Sequence, residues 1–387
     1  MPVALFALTV GAFAICTSEF VIVGMLLNIS HDLSISVASA GMLVTAYALG
    51  VVIGAPLLTP LMVRFKRKNA LVILMLLYVA GNFACAIATS YQYLLFARVI
   101  AALAHASFFG LGAVVATQLV PKEKQASAIA AMFLGATLAN VFGTPLGTLI
   151  GDHFGWRITF VACSALGVFG ALAIALLVRD IKSEQPKHLA TEFRVLLQPQ
   201  ALKAMLITVI GFGGIFTALT YIGPLLTQVT GFPESAVSWL LLLFGVGMVL
   251  GNPLGGRLTD FSLRLGILVT LLILLAVLIA LGMLADFKAV TALLVFLFGA
   301  AMFSAITPLQ VQAMHATQDA SVLGSSFNIA AFNLGNAGGA WLGSFALDQG
   351  ARVAQLPLIA AAVTTVGLLI ALFTRAGVVA KNSSEAH

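Results

Sequence analysis

Gly50-Val51-Val52-Ile53-Gly54-Ala55-Pro56-Leu57 returns 197 positions later as Gly247-Met248-Val249-Leu250-Gly251-Asn252-Pro253-Leu254. The shift superimposes Gly50, Val52, Gly54, Pro56, Leu57 and Leu61 on Gly247, Val249, Gly251, Pro253, Leu254 and Leu258. A second shift, of 192, brings Gly143, Gly147 and Gly151 onto Gly335, Gly339 and Gly343. Each triplet is a doubled GxxxG, a row of small residues along one helix face that lets another helix approach closely. All of these segments are apolar for more than twenty residues. The repeat therefore predicts two related sets of membrane helices around a central cavity, the geometry of alternating access.

The rest of the chain agrees with that reading. Of 387 residues 61% are hydrophobic and 8% charged, against about 45–50% and about 25% in a soluble domain. Mean hydropathy is +1.11. A span takes about 20 apolar residues, so the length accommodates about twelve spans with their loops. This excludes a soluble enzyme and a secreted disulfide scaffold. A net charge of +6 does not make a nucleic-acid binder of such a chain, because its positive charge has to be read by position along the chain and not by its sum. Cys16, Cys85 and Cys163 stand singly in apolar surroundings, without the paired spacing of a zinc or disulfide framework. They read as small buried hydrophobes.

Twelve apolar stretches fall near 3–27, 36–62, 69–89, 92–119, 125–150, 155–178, 201–229, 235–258, 265–285, 289–313, 321–347 and 353–374. The first reads as a membrane helix and not a cleaved signal, since no Lys or Arg precedes Arg64. The segments divide into an N-terminal six-helix bundle (1–178), a charged linker (179–200), a C-terminal six-helix bundle (201–375) and a tail (376–387). With the N-terminus inside, fifteen basic residues fall at cytoplasmic loops and ends: Arg64, Lys66, Arg67, Lys68, Lys122, Lys124, Arg179, Lys182, Lys187, Arg194, Lys203, Arg257, Arg264, Arg375 and Lys381. Only Arg157, Lys288 and Arg352 fall outside, and Arg98 lies within a span. This asymmetry places both termini in the cytoplasm.

Several segments carry a family resemblance. The first stretch holds Thr17-Ser18-Glu19-Phe20 and Ile29-Ser30-His31-Asp32-Leu33. The second holds Ala46-Tyr47-Ala48-Leu49-Gly50 and Gly54-Ala55-Pro56. The fourth holds Arg98 and His105-Ala106-Ser107-Phe108-Phe109-Gly110. The fifth runs Gly143-Thr144-Pro145-Leu146-Gly147-Thr148 up to Gly155-Trp156-Arg157, and the eleventh holds Phe332-Asn333-Leu334-Gly335-Asn336. Over nearly its whole length the chain resembles the major facilitator superfamily, specifically its drug:proton antiporter branch and the bacterial arabinose-efflux-type permeases. The fifth-helix segment resembles that branch's antiporter motif. The resemblance implies export and a bacterial inner-membrane location. The chain departs from the family pattern in the loop after the second stretch, where Thr59 and Val63 replace Gly and Asp, although Arg64, Arg67 and Lys68 remain. The second copy keeps Gly256, Asp260 and Arg264. Leu27 stands where a proline is usual.

Apart from histidine, Glu19 and Arg98 are the ionisable residues well inside the stretches. A charge at mid-bilayer costs about 2.5–3.5 kcal/mol or more, which marks both as functional candidates. At 1.5 Å per residue they lie at similar depths below the outer surface, so Glu19 is read as a proton carrier with Arg98 as its electrostatic partner. His105, seven residues after Arg98, shares its helix face about 10 Å deeper and is a second proton-coupling candidate. Tyr47, Asn140, Tyr221, Gln310, Asn328, Asn333 and Asn336 offer uncharged polar groups for a substrate. Asn328 and Asn336 project from similar faces and Asn333 from another. Phe108, Phe109 and Trp239 read as packing or lipid-facing residues. Gly143, Pro145 and Gly147 predict a close, bent helix contact that moves during the cycle. Asp260 and Arg264 predict a cytoplasmic gate, because a carboxylate at a helix C-terminus needs a partner.

These observations predict an all-α membrane protein of twelve transmembrane helices, a monomer in the lipid bilayer. It would export a small sugar-like or drug-like molecule in exchange for protons, with no other cofactor and no nucleic-acid partner. A proton-coupled importer of the same fold and a non-transporting receptor or scaffold are the alternatives. No Walker A, GxSxG or HExxH pattern occurs to support ATP use or hydrolysis.

Overall fold

In a bilayer every backbone N–H and C=O must be satisfied internally, and an apolar stretch of this length does so as a helix. The computed structural model describes residues 3–62, 64–121, 125–179, 194–317 and 321–374, with the side chains at 125–127, 129–130 and 321–326 also outside the description. The first six spanning helices are α1 (Val3–Gly24), α2 (Val37–Met62), α3 (Arg67–Ala86), α4 (Tyr91–Gln118), α5 and α6 (Trp156–Leu177). Helix α5 comprises Gln125–Leu138, a π-helical turn Ala139–Gly143, and Thr144–Phe154. The second six begin with α7, which runs Pro199–Ile207, through a π-helical turn Thr208–Phe212, to Gly213–Leu219. They continue with α8 (Val237–Phe261), α9 (Leu263–Leu284), α10 (Lys288–Ala316), α11 (Ser321–Asp348) and α12 (Leu356–Phe373). Among the described residues eleven helices are long and apolar enough to cross a membrane, and the 28-residue α11 completes two sets of six.

The repeat is visible in the packing. Gly50 and Gly54 of α2 abut Val99 and Leu103 of α4, and Gly251 of α8 abuts Ala300 of α10, the position 197 residues after Leu103. Gly143 and Gly147 of α5 lie against Thr17 and Val21 of α1, and Gly151 lies against Met25 just after it. Gly335, Gly339 and Gly343 of α11 lie against Val209, Gly213 and Tyr221 in and just after α7. The close neighbour expected for α5 is thus the helix that carries Glu19. Pro145 removes one backbone donor, and the π turn before it absorbs the resulting offset.

Two predicted spans need correction. The stretch 3–27 breaks at Met25 and resumes as Leu26–Asp32. The stretch 201–229 breaks at Thr220–Tyr221 and resumes as Ile222–Pro224 with a π turn at Leu225–Val229. Pro224 causes the second break: its ring collides with the carbonyl four residues back, that of Thr220, and it has no N–H to donate. The breaks are themselves repeat-related. Met25 (φ −110°, ψ 9°) and Tyr221 (φ −106°, ψ 22°) adopt nearly the same backbone geometry, 196 positions apart.

The halves meet along α2–α11 and α5–α8. Ser344 Oγ donates to the Ala38 carbonyl (3.0 Å), Tyr221 OH to the same carbonyl (3.5 Å), Thr45 Oγ1 to the Ala337 carbonyl (3.3 Å) and Ser238 Oγ to Asp152 Oδ2 (3.4 Å). All four bonds belong to the half of the bundle remote from the linker. Among the described residues no hydrogen bond joins the halves at the linker end. The linker residues 180–193 lie outside the described residues, as do Val63, Lys122, Lys124, Arg375, Lys381 and the rest of the tail.

At the remote end a polar clamp fastens the first bundle. Arg157 Nη1 donates to Asp32 Oδ2 (2.6 Å), while its Nε and Nη2 donate to the Ala88 carbonyl (3.1 and 2.9 Å). Trp156 Nε1 donates to the same Asp32 oxygen (3.1 Å), and the guanidinium lies 4.1 Å from the Trp156 ring centroid. The Arg157 hydrogen bond, helped by that of Trp156, holds the Asp32 carboxyl below its ordinary value.

Two outcomes follow for stability. Gly147→Ala drives a methyl into Val21 and should destabilise by about 1–3 kcal/mol. Gly338→Ala, where an added Cβ meets nothing within 4 Å, should be neutral or stabilising by up to about 1 kcal/mol. Thermal unfolding of the detergent-solubilised chain distinguishes them. For Asp32 the folded carboxyl titrates lower than the unfolded one, so its contribution is complete above the ordinary value of 3.8 and disappears as pH falls through the folded value. Asp32→Asn should therefore lower the melting temperature equally at pH 7 and about pH 5. The gap to wild type should narrow only below 3.8.

Candidate functional site

Three polar side chains of the first bundle converge on α1. Arg98 is fully buried. Its Nη1 donates to the Ser18 carbonyl (2.8 Å) and lies 3.4 Å from Ser18 Oγ, its Nη2 donates to the Glu19 carbonyl (3.4 Å), and its Nε to the Leu43 carbonyl (3.5 Å). The guanidinium also stacks 4.3 Å from the Tyr47 ring centroid. Arg98 thus meets Glu19 as expected, but through the peptide carbonyl and not the carboxylate, because the carbonyls of α1 and α2 surround its fork of donors. Five N–H groups in a rigid plane suit this multiple acceptance.

The Glu19 carboxylate turns instead to His105, whose Nδ1 lies 3.9 Å from Glu19 Oε2. The two side chains meet between α1 and α4. Helices α1 and α4 run in opposite directions, and Cα–Cβ bonds tilt toward each helix's own N-terminus. Glu19 therefore leans toward the linker end and His105 leans away from it. Tyr47 OH lies 3.3 Å from the same His105 nitrogen and 3.5 Å from the Ile15 carbonyl. Arg98, Tyr47, His105 and Glu19 form one chain of contacts across α1, α2 and α4. The Glu19 side chain retains 11% exposure and that of His105 6%, where Tyr47 retains 1%.

A second layer fixes this chain. Ser18 Oγ donates to Asn82 Oδ1 (2.6 Å), Asn82 Nδ2 to the Tyr78 carbonyl (2.9 Å), and Tyr78 OH to the Ala14 carbonyl (2.6 Å). Sequence reading missed Ser18, Asn82 and Tyr78 because each is an ordinary polar residue in an apolar run. Cys16 is a free, buried cysteine, as its surroundings in the sequence suggested, and its spacing of three places it on the Glu19 face of α1.

The uncharged candidates are dispersed. Tyr47 belongs to the buried network just described. Asn140 donates to the Ala136 carbonyl (3.0 Å) and borders a cavity about the size of one water, with Phe20, Val23, Thr144 and Phe244 among its walls. Tyr221 sits at the break after α7. In α11, Asn328 Nδ2 donates to Gln310 Oε1 (2.6 Å) and Asn333 Nδ2 to the Ile329 carbonyl (3.0 Å). The Oδ1 atoms of Asn328, Asn333 and Asn336 are buried without a partner among the described residues. Phe108 and Phe109 are buried packing residues, and Trp239 is 64% exposed. At the linker end Asp260 is exposed, and Arg264 Nη2 donates to the Leu372 carbonyl at the end of α12 (3.4 Å). The two predicted gate residues are thus not paired with each other here.

The model of the Major Facilitator Superfamily matches residues 8–340, with a second match over 204–387. The inner membrane transport protein YdhP of Escherichia coli (strain K12) is 41% identical over 366 residues, covering 95% of this chain and 94% of that protein. A chloramphenicol resistance protein of Streptomyces lividans is 33% identical over 345 residues, covering 88% of each. A probable sugar efflux transporter of Mannheimia succiniciproducens is 29% identical over 337 residues, covering 86% and 84%. The crystal structure of a D-xylose-proton symporter shares the fold with a TM-score of 0.74 at 15% identity, covering 96% of both chains.

The Arg98 geometry generates its own test. A lysine ammonium cannot serve three carbonyls from one position or stack as a plane on Tyr47. Arg98→Lys should therefore lose about 1.5–3 kcal/mol of stability, measured as thermal unfolding. A melting temperature equal to wild type would show that the carbonyl bonds contribute nothing.

Proposed function

The chain belongs to the Major Facilitator Superfamily, a multi-pass membrane transporter and not an enzyme, and we propose that it exports a small neutral organic molecule in exchange for protons. The observation that carries this reading is the approach of the Glu19 carboxylate to His105, 3.9 Å apart in a buried network with one partly exposed member. A carboxylate that is neutral when occluded and charged when it faces water can move a proton without a standing cost of burying charge. In this reading Glu19 carries the proton, His105 is its exchange partner, and Tyr47 and Arg98 hold the pair in place. Efflux-type relatives, the chloramphenicol resistance protein and the probable sugar efflux transporter, support export of a sugar-like or drug-like substrate.

The distribution of Lys and Arg supports a cytoplasmic linker and cytoplasmic termini. The hydrogen-bonded end of the bundle is then periplasmic, and the arrangement is closed outside. In this arrangement Glu19 releases its proton toward the cytoplasm as substrate enters. Asp260 and Arg264, apart from each other here, would engage when the cytoplasmic end closes. The α1–α5 seam through Gly143, Pro145 and Gly147 transmits movement of the Glu19-bearing helix to the contact of α5 with α8. The amides of Asn140, Asn328, Asn333 and Asn336, with Gln310 and Tyr221, provide the substrate's polar contacts.

The test is flux in proteoliposomes with and without an imposed pH gradient, using a panel of neutral sugars and chloramphenicol. Glu19→Gln, a permanent mimic of the protonated form, should exchange substrate down its gradient yet show no response to the pH gradient. Accumulation by Glu19→Gln when the gradient is applied would remove Glu19 as the coupling group.

A further inference from the structure

Cys16 has no part in the transport reading, yet it faces the same point. It precedes Glu19 by three residues on α1, so the two side chains share a face, and the His105 ring of α4 closes over them. The cysteine sulfur, a carboxylate oxygen and an imidazole nitrogen all lie within 4.8 Å of one another. We propose that Cys16, Glu19 and His105 form a binding site for a borderline-soft divalent cation, Zn2+ or its analogue Cd2+, and that the bound ion arrests transport. The second clause rests on the proton reading above; the site itself does not.

The donor set selects the ion. One thiolate, one imidazole and one carboxylate are ligands of zinc-like cations, bound at about 2.0–2.3 Å, which puts donors roughly 3.3–3.8 Å apart in a tetrahedral site. The Glu19–His105 edge is already 3.9 Å, so closing the cluster shortens its widest edge by about 1 Å. That is within the reach of side-chain rotation. A divalent ion with one thiolate and one carboxylate is neutral overall, so the loaded site places no net charge in the bilayer. Binding releases the Cys16 thiol proton to solvent, and the Glu19 proton where it carries one. Tyr47 OH, 3.3 Å from His105 Nδ1, has the Ile15 carbonyl at 3.5 Å as its alternative acceptor once the ion takes that nitrogen. The nearest fixed cation, Arg98, is held against the carbonyls of Ser18, Glu19 and Leu43.

The experiment titrates the purified full-length protein with Cd2+ and follows the cadmium–thiolate absorption in the ultraviolet. Wild type should show a band saturating at one ion per chain. Cys16→Ser should abolish it with Cys85 and Cys163 still present, and His105→Gln should weaken binding by about tenfold or more. No saturable band in wild type, or an unchanged band in Cys16→Ser, overturns the site. X-ray absorption of the wild-type cadmium complex is independent of any variant: one sulfur with nitrogen and oxygen neighbours supports the site, and a sulfur-free shell overturns it. Zn2+ should also inhibit wild-type flux in proteoliposomes and spare Cys16→Ser. Stoichiometric binding with unimpaired flux upholds the metal site and overturns both the arrest and the assignment of Glu19 as proton carrier.

Discussion

The seam between α1 and α5 is the contact on which the rest of the structure depends. Gly143, Gly147 and Gly151 give up their side chains so that Thr17, Val21 and Met25 can lie against the α5 backbone. In a bilayer there is no hydrophobic gain from pressing two apolar helices together, so close van der Waals approach takes its place. Because one face of α1 is fixed in this way, its other face presents Cys16, Ser18 and Glu19 to α2, α3 and α4 in a defined register. Two of the three carbonyls that Arg98 bonds, those of Ser18 and Glu19, are also on this helix. Moving the seam by one turn would carry Glu19 away from His105.

The two bundles repeat in architecture and differ in chemistry. The packing positions of α4 and α10 correspond at an offset of 197, and those of α1 and α7 at 196. At these offsets Glu19, Tyr47, Arg98 and His105 correspond to Ile215, Phe244, Val295 and Met302. All four counterparts are buried members of one apolar cluster. The second bundle has kept the glycines, the broken first helix and the crossing pattern while filling the equivalent polar pocket with hydrocarbon. The carboxylate, guanidinium and imidazole of this network thereby lie in one half, and uncharged amides predominate among the polar residues named in the other.

Much of this was legible in the sequence because it is periodic or compositional. The apolar stretches, the repeat and the glycine rows each recur, and recurrence survives without coordinates. What escaped depends on side-chain direction and local competition. The depth argument placed Glu19 beside Arg98 and His105 well below, since it counted Cα positions. In the structure the carboxylate meets His105, and Arg98 meets the Glu19 carbonyl instead. The Arg98 carbonyl bonds escaped because backbone acceptors leave no mark in a sequence. The break at Tyr221 was legible in principle, through Pro224 four residues after Thr220, but the predominantly apolar stretch 201–229 was read as one span.

The join between the bundles has a further consequence in energy scale. Among the described residues it is tied by four side-chain hydrogen bonds, three of them to carbonyls of α2 and α11 and one to Asp152. Each such bond is worth about 0.5–1.5 kcal/mol, and the apolar remainder of the contact has lipid as an equally good neighbour. A difference of one pH unit across a membrane is worth about 1.4 kcal/mol per proton. The latch and a transmembrane proton gradient are therefore commensurate quantities. In the proton-exchange reading, a much more extensively bonded interface would be out of scale with such a gradient.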